Sequence, residues 1–436
     1  MSIGFQDSQC SLSSMDVFSG KHVQHDIEEG LWETHAPLAN LQNGVVEFKV
    51  EGSKSVIDLQ NCYIMVKARI KNNDNTNLAG DKEVAVINYL AATIWKSVDV
   101  KLNGDQLVSC SNYPYRAYLE ALTSYSENAK KTWLQAGLFY KDTQGQFSTL
   151  TDVNTGFKAR KELFATSRQV EFIAKLHCEP FNQDRFLVDN VDLEVTLTKQ
   201  DDNFTLMSAD AENIKLVLED VSLITRKNNL FPDKLLQIQA QRRTMDVQYP
   251  VNRVVVKTDT ISQGTTSHSL TGHFRGSIPS MILIGLVKNE AYAGKKSLNP
   301  FNFEHFQLEY INGKVGAKSI TAQPFTFDFP NGQFLPAYWN FMHSMGYSFK
   351  DDGCYITRDE FDKGNFLLAF NLSPTLCNGL FSDPIETGNV TFEMRFRQAL
   401  PETVSVIMYA DYSKNFSINT ANKLVNNFQT SAYSKR

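Results

Sequence analysis

Apolar and polar residues alternate in short runs along most of this chain. Val98, Val100 and Leu102 alternate with Asp99 and Lys101, the period of a strand with one buried face. Asn103-Gly104 follows; both residues tolerate positive φ, so the pattern predicts a tight hairpin into Leu107 and Val108. Pro114 suits a first helical turn, where its missing N–H costs nothing, and Tyr115, Tyr118, Leu119 and Leu122 recur at helical spacing. The same order returns about two hundred residues later. Phe306, Leu308 and Tyr310 alternate with Gln307 and Glu309, Asn312-Gly313 supplies a second predicted turn, and Pro336 opens a helix carrying Tyr338, Phe341, Met342 and Met345.

Strands further along match as well. Val191, Leu193, Val195 and Leu197 alternate with polar residues, and Val390, Phe392, Met394 and Phe396 do the same in the second half. Between these landmarks, strand patterns run over 46–50, 64–70, 170–176, 214–218, 245–249, 254–256, 281–287 and 404–410. Residues 84–95 are expected to form a buried strand and 130–138 a short helix, while 144–161 is polar enough to be an excursion from the sheet. FPDKLLQIQAQRR, Phe231 to Arg243, sits midway between the copies with Pro at its entry and reads as a linker helix.

Short strands punctuated by Gly, Asn and Pro, in two similar sets, predict an all-β protein built as a double jelly roll: two tandem eight-stranded antiparallel β-sandwiches with short helices in the loops. The expected boundaries are an N-terminal arm over 1–41, a first jelly roll over 42–228, the linker helix over 229–243, a second jelly roll over 244–412 and a basic tail over 413–436. The arm holds six acidic residues against one basic, and a small apolar cluster of Met15, Val17, Phe18, Leu31 and Trp32. Such a segment either docks on a neighbour or is a terminus without consequence. The tail carries Lys414, Lys423, Lys435 and Arg436 and no acidic residue; it could meet the arm of another subunit or a polyanion, and a solvated basic end is the plainer reading.

Composition narrows the function. At 436 residues the chain is long enough for two well-buried cores, and thirty Phe with sixteen Tyr suit wide sheets packed face to face. A net charge of −5 offers no footprint for direct nucleic-acid binding. Six cysteines show no metal or disulfide spacing and are expected as buried thiols of a protein made in the cytosol. The start has no secretory pattern, and the longest apolar run, Met281 to Val287, is too short to span a bilayer.

Candidate chemistry is thin. His268 and His273 flank a predicted turn at a spacing that fits no standard ligand set, and His177 and His305 fall in strand patterns. No GxSxG or phosphate loop occurs, and the acidic run Asp351, Asp352, Asp359, Glu360 and Asp362 lacks the glycine and ligand alternation of a calcium loop. Tyr113, Tyr115, Tyr338 and Trp339 could line a carbohydrate groove, but their helical spacing points to core packing. No catalytic residue, metal site or cofactor is expected.

A resemblance adds to this reading. MDVFS at 15–19, IDLQNCYIMVKARI at 57–70, VDVKLNGDQLVS at 98–109, YPYRAYLEALTSYSENAKK at 113–131 and GLFYKDT at 137–143 are followed by IGLVKNEAYAG at 284–294 and NPFNFEHFQLEY at 299–310. TRDEFDKGNFLLAFNLSP at 357–374 and RQALPETVSVIMYA at 397–410 complete the set. In this order they resemble the major capsid protein of Polinton (Maverick) elements and adintoviruses, over roughly 15–412; residues 20–43 and the end of the tail depart from the pattern. The resemblance implies a non-enzymatic virion protein that assembles as homotrimeric, pseudo-hexameric capsomers of an icosahedral shell. Its partners would be other copies of itself and a separate single jelly-roll penton protein, with double-stranded DNA only indirectly in contact. Loops such as 140–165 would form trimer contacts or an outer tower. Met15, Val17, Phe18, Leu31, Trp32, Lys414 and Lys423 are the candidate inter-subunit contacts. The competing expectation is a non-viral two-domain β-sandwich that binds carbohydrate or serves adhesion.

Overall fold

The computed structural model describes residues 24–41, 44–80, 82–209, 212–374, 376 and 386–426. In the first half the strands are β1 (Ile27–His35), β2 (Val45–Val50), β3 (Val56–Asn72), β4 (Ala85–Val86), β5 (Trp95–Leu102), β6 (Asp105–Cys110), β7 (Val170–Lys175), β8 (Leu193–Lys199), β9 (Leu206–Met207) and β10 (Ile214–Leu230). In the second they are β11 (Val247–Ile261), β12 (Ser267–Ser277), β13 (Met281–Lys288), β14 (Leu308–Val315), β15 (Lys318–Ser319), β16 (Phe325–Thr326), β17 (Leu367–Asn371), β18 (Thr387–Phe396), β19 (Val404–Ile418) and β20 (Leu424–Asn426).

Their pairing repeats. One sheet of the first half runs β1-β10-β3-β7 and the facing sheet β2-β8-β5-β6; one sheet of the second runs β11-β19-β13-β17 and the facing sheet β12-β18-β14 with β15 and β16 on β14. In both halves the opening strand pairs with the closing one and the next strand inward joins the other sheet, which is the winding of a jelly roll. The double jelly roll expected from the pattern is the observed fold. Along each strand the inward set is buried, as with Val98, Val100 and Leu102 in β5 and Val390, Phe392, Met394 and Phe396 in β18.

Several local expectations hold and several do not. Asn103 and Gly104 take φ of 51° and 81°, both left-handed, and join β5 to β6 as a tight hairpin. The helices Tyr113–Ser124, Leu335–Ser344 and Pro232–Arg242 each start with a proline in the first turn. Asn312-Gly313, by contrast, lies inside β14, and the chain turns at Gly316 instead. Gly313 is needed there for close packing: a Cβ would meet the side chains of Ile320 and Phe392 at 2.8 Å.

Residues 27–35, assigned from sequence to the arm, form β1 and pair with β10 in the register Trp32↔Arg226. Their alternation is weak because none of the nine positions of this edge strand is buried. The 84–95 stretch is not one strand but β4, a helical turn at Leu90–Thr93 and the start of β5. The 144–161 excursion enters a helix, Thr155–Phe164, whose first turn is capped by Asn154 accepting from the Phe157 N–H. The basic tail begins inside β19, and β20 folds back onto it.

The two jelly rolls share one continuous core. Phe301 of the second stacks on Tyr118 of the first with ring centroids 4.0 Å apart and meets Tyr115 edge-on at 5.6 Å.

Candidate assembly surfaces and the seam behind them

The helix Tyr113–Ser124 is apolar on nearly every side, and all but two of its residues are buried, so its charged members have to find partners inside the protein. Arg116 does so across the seam between the jelly rolls. Its Nη1 donates to both oxygens of Glu179, at 3.0 and 3.1 Å, and to the Val254 carbonyl at 3.4 Å. Glu179 Oε1 in turn accepts from the Val254 N–H at 3.0 Å. The pair is 1% and 2% exposed. Val254 lies mid-way along β11, which is the outermost strand of its sheet. An ion pair of the first jelly roll thus caps both edge-facing backbone groups of Val254 in the second, closing an edge that would otherwise be open to pairing.

A second polar link joins the excursion loop to the second jelly roll. Arg160 donates to Val86 O, Tyr140 O and Asp142 Oδ1 at 2.9, 2.7 and 2.7 Å, and Asn299 Nδ2 donates to Asp142 Oδ2 and Phe147 O at 3.1 Å each. Lys130, also buried, donates to Leu122 O and to Cys354 O across the seam at 2.5 Å each, and burial brings its ammonium down to about 8. Asp411 on β19 shows the opposite effect: burial raises its carboxyl to about 7, with Glu120 and Glu179 adding to the rise and Arg116 and a backbone hydrogen bond at Tyr412 opposing it.

Away from the seam, the exposed apolar side chains of the described residues include two groups on regular elements. One lies on the Trp32 face of β1: Trp32 is 53% exposed, its ring 5.8 Å from Tyr63 and with the Arg226 guanidinium 5.2 Å from its centre, while Leu31, 44% exposed, points to the other side of the strand. The other surrounds the helix Leu335–Ser344, with Leu335 at 49%, Trp339 at 52% and Phe349 at 90%, the last two in edge contact at 5.8 Å. Trp339, expected in the core from its helical spacing, is therefore a surface residue; Tyr113 and Tyr115 are buried as expected.

Of the candidate contact residues, Met15, Val17 and Phe18 lie outside the described residues. Leu31 and Trp32 sit on adjacent positions of β1 and so face opposite sides of the strand. Lys414 is held on β19, donating to Ser277 Oγ at 3.1 Å, and Lys423 closes the turn before β20, its N–H donating to Asn419 Oδ1 at 2.9 Å. The structure gathers Leu31 and Trp32 on one strand and keeps the two lysines on the other jelly roll.

The chemical candidates find structural roles. His268 and His273 converge on one oxygen, Asp259 Oδ2, at 3.0 and 3.2 Å, while His177 bonds the Tyr89 hydroxyl at 2.8 Å. No group of three His, Cys, Asp or Glu is set to hold a metal among the described residues. Cys62, Cys110, Cys178 and Cys354 are buried and free, and burial pushes Cys62 and Cys110 up to about 12, away from thiolate chemistry. Glu360 of the acidic run accepts from Lys141 Nζ at 2.7 Å and from the Thr357 N–H at 3.0 Å, completing a helix cap. No described helix is long and apolar enough to cross a membrane.

No family model matches the chain. An uncharacterized protein of Caenorhabditis elegans is 24% identical over 406 residues, covering 87% of this chain and 94% of that protein. Among solved structures, a chain of the Sputnik virophage superposes with a TM-score of 0.66 at 12% identity, covering 99% of this chain and 95% of its own. The mavirus major capsid protein gives 0.55 at 12% identity, covering 98% and 95%, and the Faustovirus major capsid protein 0.56 at 11%, covering 92% of each. At such identities the likeness establishes the shared double jelly-roll fold.

Proposed function

We propose that this chain is a viral or virus-derived major capsid protein of the Polinton and adintovirus kind, acting by assembly. The observation that carries the reading is whole-chain correspondence: two jelly rolls with the same strand order, fused through one core, superpose over nearly the full length of the Sputnik, mavirus and Faustovirus chains. The ordered sequence segments that resemble Polinton and adintovirus capsid proteins support the same class. Two similar upright sandwiches per chain suit a trimer that presents six pillars, a tile able to cover a curved shell with one gene product. Inter-subunit contacts fall to the exposed residues Leu31 and Trp32, the arm cluster of Met15, Val17 and Phe18, and Lys414 and Lys423. Vertices would be filled by a separate single jelly-roll protein. With a net charge of −5 the chain is not the neutraliser of packaged DNA. The protein would be made in the host cytosol and reside in the virion.

Light scattering on a sizing column tests this. A species of three times the 49.3 kDa chain mass, hexagonal in outline by negative stain, is expected; a monomer at every concentration would sink the capsomer and return attention to ligand binding on the sandwich faces.

A further inference from the structure

The seam inside the chain and the patches outside it correspond. Within the chain, the helix that follows the hairpin strand β6, together with the Glu179 turn, packs against the opening edge strand of the other jelly roll, β11. The second jelly roll has the equivalent helix, Leu335–Ser344, after β15 and β16, and the first has the equivalent edge strand, β1. Both of these are left uncovered. The helix Tyr113–Ser124 buries ten of its residues, whereas Leu335–Ser344 buries only Ala337, Phe341 and Ser344. Strand β11 has its mid-point backbone capped by Arg116 and Glu179, whereas β1 is the outer strand of its sheet and buries nothing.

We infer that the helix Leu335–Ser344 with Phe349 of one copy docks on strand β1 of a second copy, repeating between chains the seam that joins the two jelly rolls within one. The occupant of each patch is the other patch. Both are centred on an exposed tryptophan, Trp339 on the helix and Trp32 on the strand, the residue type that most often anchors a protein interface. The patches lie on different jelly rolls, so the contact is head-to-tail, and a head-to-tail contact grows until it closes into a ring. In such a ring every jelly roll meets its neighbour through the same pair of elements, within and between chains alike. The inference rests on the capsomer reading and names its interface.

The test uses full-length chains and complementation. Trp339→Glu removes one patch and Trp32→Glu the other; both side chains are more than half exposed, and an unchanged thermal midpoint and circular dichroism spectrum establish that each variant folds. Phe349→Asp, at a position 90% exposed, serves as a second helix-side variant. Each variant alone is expected to be monomeric, with self-association weakened roughly tenfold or more. Mixing Trp32→Glu, which keeps its helix patch, with Trp339→Glu, which keeps its strand, restores one contact and stops there. The expected product has twice the 49.3 kDa chain mass. Variants that still form the wild-type oligomer overturn the inference and leave the capsomer standing, as does a mixture of monomeric variants that fails to pair. A monomeric wild type overturns the capsomer itself, and this interface with it.

Discussion

Removing Glu179 should separate the cost of the seam from the cost of either jelly roll. The side chain is 2% exposed and accepts from Arg116 Nη1 and the Val254 N–H. Glu179→Ala leaves a guanidinium that is itself 1% exposed without its counter-charge, and leaves the Val254 N–H without an acceptor. Breaking a buried pair from one side costs about 3–5 kcal/mol, which for a domain of this size lowers the thermal midpoint by roughly 6–20 °C. Glu179→Gln retains an oxygen for Val254 and loses the charge, so it should fall between alanine and wild type. The double variant Arg116→Met with Glu179→Leu removes both charges and should recover much of the loss, since a buried pair replaced by apolar groups of similar volume is often nearly neutral. Scanning calorimetry of the four proteins gives the result. If Glu179→Ala costs under about 1 kcal/mol, in the range of an exposed pair, the seam is wet or mobile and the Arg116–Glu179 pair does not hold Val254 in place.

Two further perturbations probe the same region. Asp411 is raised by burial to about 7 against about 3.9 in an unfolded chain, so between pH 4 and 7 the folded state keeps a proton that the unfolded state has released. Stability from this group is therefore full below about pH 4 and lost as pH rises through about 7. Asp411→Asn should remove that slope and be more stable than wild type at pH 8; thermal midpoints of both proteins from pH 4 to 8 decide it, and parallel curves refute it. Gly364 has φ of +104° and would place a Cβ 2.4 Å from the Phe147 ring of the excursion loop. Gly364→Ala should cost about 1–3 kcal/mol from overpacking, partly relieved by adding Phe147→Leu, as read from denaturation midpoints.

What the sequence disclosed divides along physical lines. The hairpin at Asn103-Gly104 and the helices after Pro114 and Pro336 were legible because local backbone preference and period agree there. Asn312-Gly313 has the same letters, but its glycine answers to the side chains of Ile320 and Phe392 rather than to a turn, and no local pattern carries that. Strand β1 was missed because alternation reports burial, and an edge strand that buries nothing does not alternate. Trp339 was misplaced for the converse reason: helical spacing finds a helix, but whether its second face is covered depends on what lies opposite. Arg116 and Glu120 did leave a signal. In a helix that reads YPYRAYLEALTS, apolar on almost every side, charged residues mark places where a buried partner must exist.

The two kinds of contact also differ in a way the proposed assembly explains. The seam inside the chain forms as part of folding, when both jelly rolls are already tethered, so it can carry a desolvated ion pair whose main effect is to fix register between Arg116, Glu179 and Val254. A contact between separate chains has to form by collision and be soluble until it does. Two patches centred on Trp32 and Trp339, each half exposed and neither holding an unpaired buried charge, meet that condition: they cost little when uncovered and contribute apolar area when joined. On the proposed assembly, the buried Arg116 of one helix belongs to a joint made in folding and the exposed Trp339 of the other to a joint made on association.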